Sequence, residues 1–72
     1  MGRLKPLDTG KVIRILENYG FKKVRSRKHT TFKKTLSSGE VLTTWVPHGN
    51  TVTVFVLKYI MKQTRIPKEE FY

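Results

Sequence analysis

The stretch HTTFKKTLSSGEVLTTWVP, residues 29–47, decides the fold that we predict for this chain. Its two runs rich in β-branched and aromatic residues, His29 to Leu36 and Val41 to Val46, have the composition of strands. Between them, Ser37-Ser38-Gly39 is typical of a tight connection. Pro47 has no backbone N–H to donate to a sheet, so it should end the second run. The stretch therefore predicts an antiparallel hairpin.

The residues before the hairpin predict a helix and a further strand. Apolar residues recur at helical spacing in the positions Leu7, Val12, Ile13, Leu16 and Tyr19. Asp8 is a candidate N-cap, and Gly20 supplies a left-handed stop after which Phe21 can pack back on the helix. Phe21 to Arg25 then has the composition of a strand, joined to the hairpin by Arg27-Lys28.

The residues after the hairpin fit two patterns. Thr51 to Val56 alternates like a strand, whereas Leu57, Ile60, Met61 and Thr64 repeat like a helix. We predict a helix from about Thr53 to Thr64, because only a helix gathers Lys58, Lys62 and Arg65 into one basic stripe. A short helical turn anchored by Phe71 should follow it.

The predicted element order is α-β-β-β-α in a single α+β domain, residues 1–72. A three-stranded antiparallel sheet would carry both helices on one face and leave its other face open. In the second strand, Phe32 and Leu36 must face the core. Period two then places His29, Thr31 and Lys33 on the open face.

Composition points to a polyanionic partner. The chain has 15 lysines and arginines against 5 acidic residues, a net charge of +10. Such a balance favours nucleic acid, an acidic protein or anionic lipid. Hydrophobic residues at 38% and aromatic residues at 11% are too many for a disordered basic tail.

The chain has no cysteine, which excludes disulfides and thiolate metal sites and fits a reducing cytosol. No apolar run approaches the length of a membrane span. We therefore expect a cytoplasmic protein without a membrane partner.

His29 lies within a basic run that no carboxylate interrupts between Glu17 and Glu40. A histidine beside lysines is often only a solvated surface residue. On a cationic face it can also serve as a general base that takes the proton of an RNA 2′-hydroxyl. Both interpretations remain open from the residue type alone.

Other polar and aromatic residues are less informative. His48 is typical of a polar loop residue, and two histidines without flanking carboxylates make a poor metal site, so we expect no metal and no other cofactor. Trp45 and Tyr59 can stack on bases, although packing within a small core is the more common role of such residues. The exposed face carrying Lys58 and Lys62 either contacts phosphates or is merely solvated.

Four stretches in this order resemble the HicA toxin family, also called the YcfA-like family. They are Tyr19-Gly20-Phe21 after the first helix, His29-Thr30-Thr31-Phe32, Val46-Pro47-His48-Gly49-Asn50, and the helix from Leu57 to Ile66 followed by Glu69-Glu70-Phe71. The resemblance covers about Lys11 to Phe71. It implies a small double-stranded-RNA-binding-like fold, activity as a messenger-RNA interferase, and neutralisation by a HicB antitoxin.

The resemblance assigns the catalytic role to His29, as general base or acid. Lys28 and Lys33 would then hold the scissile phosphate of the RNA. The remaining residues expected to contact RNA are Arg25, Arg27, Thr31, Lys58 and Lys62.

The chain departs from the family at two places. Arg27-Lys28 replaces a Gly-Ser or Gly-Thr pair, which removes a close approach of backbone to phosphate. Val54-Phe55-Val56 replaces a "P-G-T" helix start. Two alternatives to the nuclease therefore stay open: a non-catalytic RNA-binding module, and a protein whose basic face docks an acidic partner.

Overall fold

Three strands form the central antiparallel sheet of the protein. The computed structural model describes residues 4–72, apart from the side chains of Arg25 and Ser26. Strands β2 (Lys22–Ser26), β3 (His29–Thr35) and β4 (Val41–Pro47) lie in the order β2-β3-β4. The predicted meander is confirmed, with β3 at its centre.

Each of the two connections in the sheet is closed by a backbone hydrogen bond. Between β3 and β4, the Leu36 N–H donates to the Glu40 carbonyl oxygen at 2.7 Å, and Gly39 has a φ of 94°. A positive φ is what glycine tolerates at a tight turn, as the sequence indicated. Between β2 and β3, the Arg27 N–H donates to the carbonyl oxygen of His29 at 3.3 Å.

Helix α1 spans Thr9–Asn18 and is fixed at both ends by the residues that the sequence indicated. Asp8 is the extended N-cap, although its side chain makes no capping hydrogen bond. At the other end Gly20 has a φ of 90°, and the Phe21 N–H donates to Leu16 at 3.0 Å. This is a Schellman ending, in which the chain reverses and buries Phe21 against the helix.

Helix α2 spans Val54–Thr64, which confirms the helical interpretation of this segment. The Thr53 side chain accepts a hydrogen bond from the Val56 N–H at 3.4 Å, and so caps the helix start. Just before it, strand β5 (Thr51–Val52) pairs antiparallel with β1 (Leu7–Asp8), a small ladder that we did not predict. The ladder joins the segments that precede the two helices.

The core lies between the inner face of the sheet and the helices. Helix α2 packs against β4, and a 3₁₀ helix at Lys68–Phe71 returns the chain to α1 with Phe71 fully buried, as predicted. The buried apolar residues are Leu7, Val12, Ile15, Leu16, Phe21, Phe32, Leu42, Val46, Val52, Leu57, Ile60, Ile66 and Phe71.

Tyr19 ties the end of α1 to the C-terminal 3₁₀ helix. Burial of the phenol, followed by its hydrogen bond to Glu70 and the charge of that carboxylate, raises the pKa of Tyr19. Packing and hydrogen bonding therefore hold the last residues of the chain on the first helix.

Candidate nucleic-acid interface

The alternation of β3 separates a core face from an outer face. Thr30 and Phe32 are buried, whereas His29, Lys33 and Thr35 are exposed and Thr31 is half-buried. A shift of one residue would expose Phe32, which is fully buried here. The predicted position of His29 on the outer face is confirmed.

A shallow depression surrounds His29. It is lined by Arg27, Lys28, His29 and Thr31 and has a volume of about 300 Å³. Arg27 and Lys28 come from the β2–β3 connection, whereas His29 and Thr31 are alternate residues of β3. The tight connection therefore brings two cations beside the imidazole, which is a suitable setting for a phosphate.

A second basic depression continues the surface along the sheet. Lys22 and Lys33 lie directly opposite each other on β2 and β3. Together with Gly20, Lys34 and Thr35, they line a space of about 430 Å³. Like charges placed directly across a strand pair destabilise a sheet. Both lysines are exposed, and an anion held between them would offset this repulsion.

The other residues predicted to contact RNA are not all at this surface. Arg25 belongs to β2 through its backbone and pairs with Thr31, but its side chain lies outside the described part of the structure. Lys58 and Lys62 are exposed on α2 and do not line the depression around His29.

The predicted basic stripe of α2 is interrupted at its end. Arg65 lies beyond the helix in a left-handed conformation, with a φ of 61°. Its guanidinium forms a two-pronged ion pair with the Glu40 carboxylate, with N–O distances of 2.7 Å and 3.3 Å. Arg65 is thus engaged by the β3–β4 connection, and Lys58 and Lys62 remain as the exposed cations of the stripe.

Three aromatic rings form a row that begins at His29. The ring centroids of His29 and Trp45 are 4.8 Å apart, and those of Trp45 and Tyr59 are 5.6 Å apart. Trp45 lies opposite Thr31 in the β3–β4 ladder and therefore on the outer face. Tyr59 comes from α2, the helix that packs against β4.

The expectation that Trp45 and Tyr59 pack within the core was therefore wrong. Trp45 is only half-buried, and Tyr59 is 43% exposed. Because Leu42, Thr44 and Val46 face the core, period two alone places Trp45 on the outer face. The outer position of Trp45 was therefore predictable from the alternation in the strand, but we gave more weight to the usual burial of tryptophan in small cores.

The residues that the structure describes include neither a candidate metal site nor a candidate membrane span. In residues 4–72, no three His, Cys, Asp or Glu side chains are grouped as ligands for a metal ion. Over the same residues, neither helix has the length and apolar character needed to cross a membrane. His48 follows β4 and is exposed.

Comparison with known proteins identifies the family. A model described as the HicA toxin of bacterial toxin-antitoxin systems matches residues 10–66. The chain belongs to the HicA toxin family. No curated protein and no solved structure matches the chain. The HicA match includes α1, the whole sheet and α2, so it contains both His29 and the aromatic row, while Phe71 lies beyond it.

Proposed function

We propose that this HicA-family toxin is an endoribonuclease that cleaves messenger RNA with His29 as its acid–base residue. The family is known for messenger-RNA interferases, and that activity supplies the substrate class. The observation that carries the proposal is the position of His29, which is exposed on the outer face in a depression that it shares with Arg27 and Lys28. A polyanion held there would place a phosphate beside the imidazole.

The reaction needs only the RNA and this chain's side chains. His29 takes the proton of a 2′-hydroxyl, and the resulting oxygen attacks the adjacent phosphorus. The bond from phosphorus to the 5′-oxygen breaks, and that oxygen takes a proton from the imidazolium or from water. The products are a 2′,3′-cyclic phosphate and a 5′-hydroxyl end.

The cations contribute in different ways. Lys28 lines the depression around His29 and stabilises the charge that develops on the phosphate oxygens. Lys33 lies farther along β3 in the second basic depression and would hold the strand beside the scissile phosphate. Arg27 follows the RNA backbone and fixes its register. Thr31 offers a hydroxyl on the floor of the depression. Lys58 and Lys62 on α2 would meet phosphates farther along the strand.

The indole of Trp45 supports this assignment by limiting how His29 moves. With ring centroids 4.8 Å apart and planes at 44°, the two rings are in tilted contact. A catalytic base is more effective when its side chain is held in one orientation. An exposed histidine without such a neighbour would sample several rotamers.

A direct test compares three proteins on single-stranded RNA in the presence of a chelator. The wild type should cut the RNA, and His29→Ala should not. His48→Ala is the matched variant, since the chain has two histidines and His48 is the other one. It should keep most of the activity. Cleavage by His29→Ala at the wild-type rate would remove this residue from the mechanism.

Two further results would also contradict the scheme. Loss of activity in His48→Ala alone would move the acid–base role to that residue. Cleavage that stops when the chelator is added would show that a metal ion is needed. Circular dichroism spectra of all three proteins establish that the fold is retained.

A second candidate function is RNA binding without cleavage. It is favoured by Arg27-Lys28, which stands where the HicA family usually carries Gly-Ser or Gly-Thr. The Arg27 N–H donates to the His29 carbonyl oxygen at 3.3 Å, so this amide is already engaged and not directed at a phosphate. Intact RNA after long incubation, together with salt-sensitive binding, would establish this alternative.

The partner of the toxin would be a HicB-like antitoxin. Inhibition of the proposed nuclease requires the depression around His29 to be covered, and a protein with an acidic surface complements its charge. Added antitoxin should therefore displace RNA from the toxin in a competition assay. Simultaneous binding of both would show that the antitoxin acts elsewhere.

A further inference from the structure

We propose that the row His29–Trp45–Tyr59 is a platform on which an unpaired base of single-stranded RNA stacks. This inference rests on the proposed RNA substrate and goes beyond it, because it says how the strand is oriented. The phosphate would lie in the depression around His29, and the base of the same or the adjoining nucleotide would lie over Trp45 and Tyr59.

The exposure of the row is its first support. Aromatic side chains bury large apolar areas, and a small domain gains stability by placing them in its core. Here Trp45 stands on the outer face and Tyr59 is 43% exposed, although the same chain buries Phe21, Phe32 and Phe71. A half-buried indole beside an exposed phenol ring on a cationic surface fits a single-strand binding site, in which bases stack on aromatic side chains.

The orientation of the rings is the second support. Trp45 makes angles of 44° with His29 and 46° with Tyr59. Tilted neighbours contact a ring partly through its edge, so they hold the indole in place without covering it as a parallel stack would. The row therefore leaves room for a flat ligand on the indole.

The spacing between the row and the cations is the third support. Trp45 lies directly opposite Thr31, which lines the depression, and adjacent strands are about 4.8 Å apart. One strand spacing thus separates the phosphate site from the indole. A single nucleotide spans that distance between its phosphate and its base.

The same geometry selects single-stranded RNA. Bases within a duplex are stacked on each other, and side chains reach them only when the strand is unpaired. The row itself consists of ring faces, so it should accept every base, with a preference for purines because of their larger faces. Lys62 lies one helical turn after Tyr59 and would meet the next phosphate.

The test uses the fluorescence of Trp45, which is the chain's sole tryptophan. The probe is an end-labelled single-stranded RNA with 2′-O-methyl groups, which lacks the attacking hydroxyl and stays intact on the full wild-type protein. Binding is followed independently by anisotropy of the label. A second strand carries the same phosphates but abasic sites in place of its bases.

The expected result is quenching of Trp45 by the normal strand and little quenching by the abasic strand. Trp45→Leu and Tyr59→Leu should each bind the normal strand about 5-fold to about 150-fold more weakly, the range found for removal of a stacking aromatic. Trp45→Phe should restore most of the affinity. Val41→Ala is the control, since Val41 is 51% exposed on the same face of β4 but lies at its other end.

The outcomes separate this inference from the proposed function. If wild type cleaves RNA while Trp45→Leu binds both strands as wild type does, the platform is refuted and the nuclease stands. If the normal strand quenches Trp45 but is never cut in its 2′-hydroxyl form, the platform stands and the nuclease is refuted. Equal affinity for the normal and abasic strands overturns the platform, as does tighter binding of a duplex. Thermal unfolding of each variant shows whether the fold is retained.

Discussion

Replacing Lys33 with glutamine should make RNA binding less sensitive to salt. Arg27 and Lys28 line the depression around His29, and Lys33, four residues farther along β3 on the same face, lines the adjoining basic depression. On a single strand, each phosphate that a cation neutralises contributes about −0.7 to the slope of log affinity against log salt concentration. These three cations contribute about −2 to the slope and two of them about −1.4, so Lys33→Gln should make the slope less steep by about 0.7, whatever the other cations contribute.

These slopes translate into a measurable difference. Between about 50 mM and about 200 mM salt, the affinity of Lys33→Gln should fall about 2.6-fold less than that of the wild type. The assay is anisotropy of a labelled single-stranded 2′-O-methyl RNA at several salt concentrations. Because the probe cannot be cleaved, the measurement reports binding alone.

Lys11→Gln is the matched control for this prediction. It removes the same charge from an exposed position of α1, which lies away from the outer face. The slope of this variant should equal that of the wild type. Equal changes of slope in both variants would show that net charge attracts the RNA and that the surface around His29 has no special part. A slope near zero for the wild type would refute phosphate binding altogether.

Three further predictions concern stability. Thr44→Val should raise the free energy of unfolding by about 1 kcal/mol, because the buried Thr44 hydroxyl has no hydrogen-bond partner in the described part of the chain. Urea unfolding measures this, with Thr43→Val as the exposed control, and a loss of stability in Thr44→Val would contradict it. Phe71→Ala should lower the free energy of unfolding by about 3–5 kcal/mol, because it leaves a cavity at a fully buried site. If calorimetry shows almost no change in stability, the C-terminal turn is not part of the core. Tyr19→Phe should make the free energy of unfolding decline less steeply in alkali. The raised pKa of Tyr19 gives a stabilisation that is present below the unfolded pKa of 10.0 and is lost as the pH rises through the folded pKa. Urea unfolding at a series of pH values tests this, and an unchanged decline would refute it.

The sheet was predictable from the sequence because one buried aromatic fixes its faces. Phe32 must be inside, and period two then determines the side of every other residue of β3. The same reasoning applies to β4, where Leu42, Thr44 and Val46 are buried. The prediction for Trp45 was wrong because we gave the usual burial of tryptophan more weight than the position of Trp45 in the strand.

Contacts between segments far apart in the chain could not be predicted. The β1–β5 ladder has two residues in each strand, which is too short to produce an alternating pattern. It explains why Thr51 to Val56 fitted both patterns, since the segment begins as a strand and continues as a helix. The ion pair between Arg65 and Glu40 could not be predicted either, because helical spacing does not indicate which residues of other segments lie near a side chain.

Strand β2 is an edge of the sheet, and within residues 4–72 its one neighbour is β3. An unpaired edge is a template on which another chain can add a strand, and lysines and bulges are two features that prevent this. Both are found here: Lys22 and Lys23 are exposed on β2, and the register shifts between Lys23 and Arg25. Lys22, which lines the second basic depression, therefore also protects this edge against aggregation. Variants that neutralise this edge should lose solubility as well as affinity, so their oligomeric state has to be measured before weak binding is attributed to lost contacts.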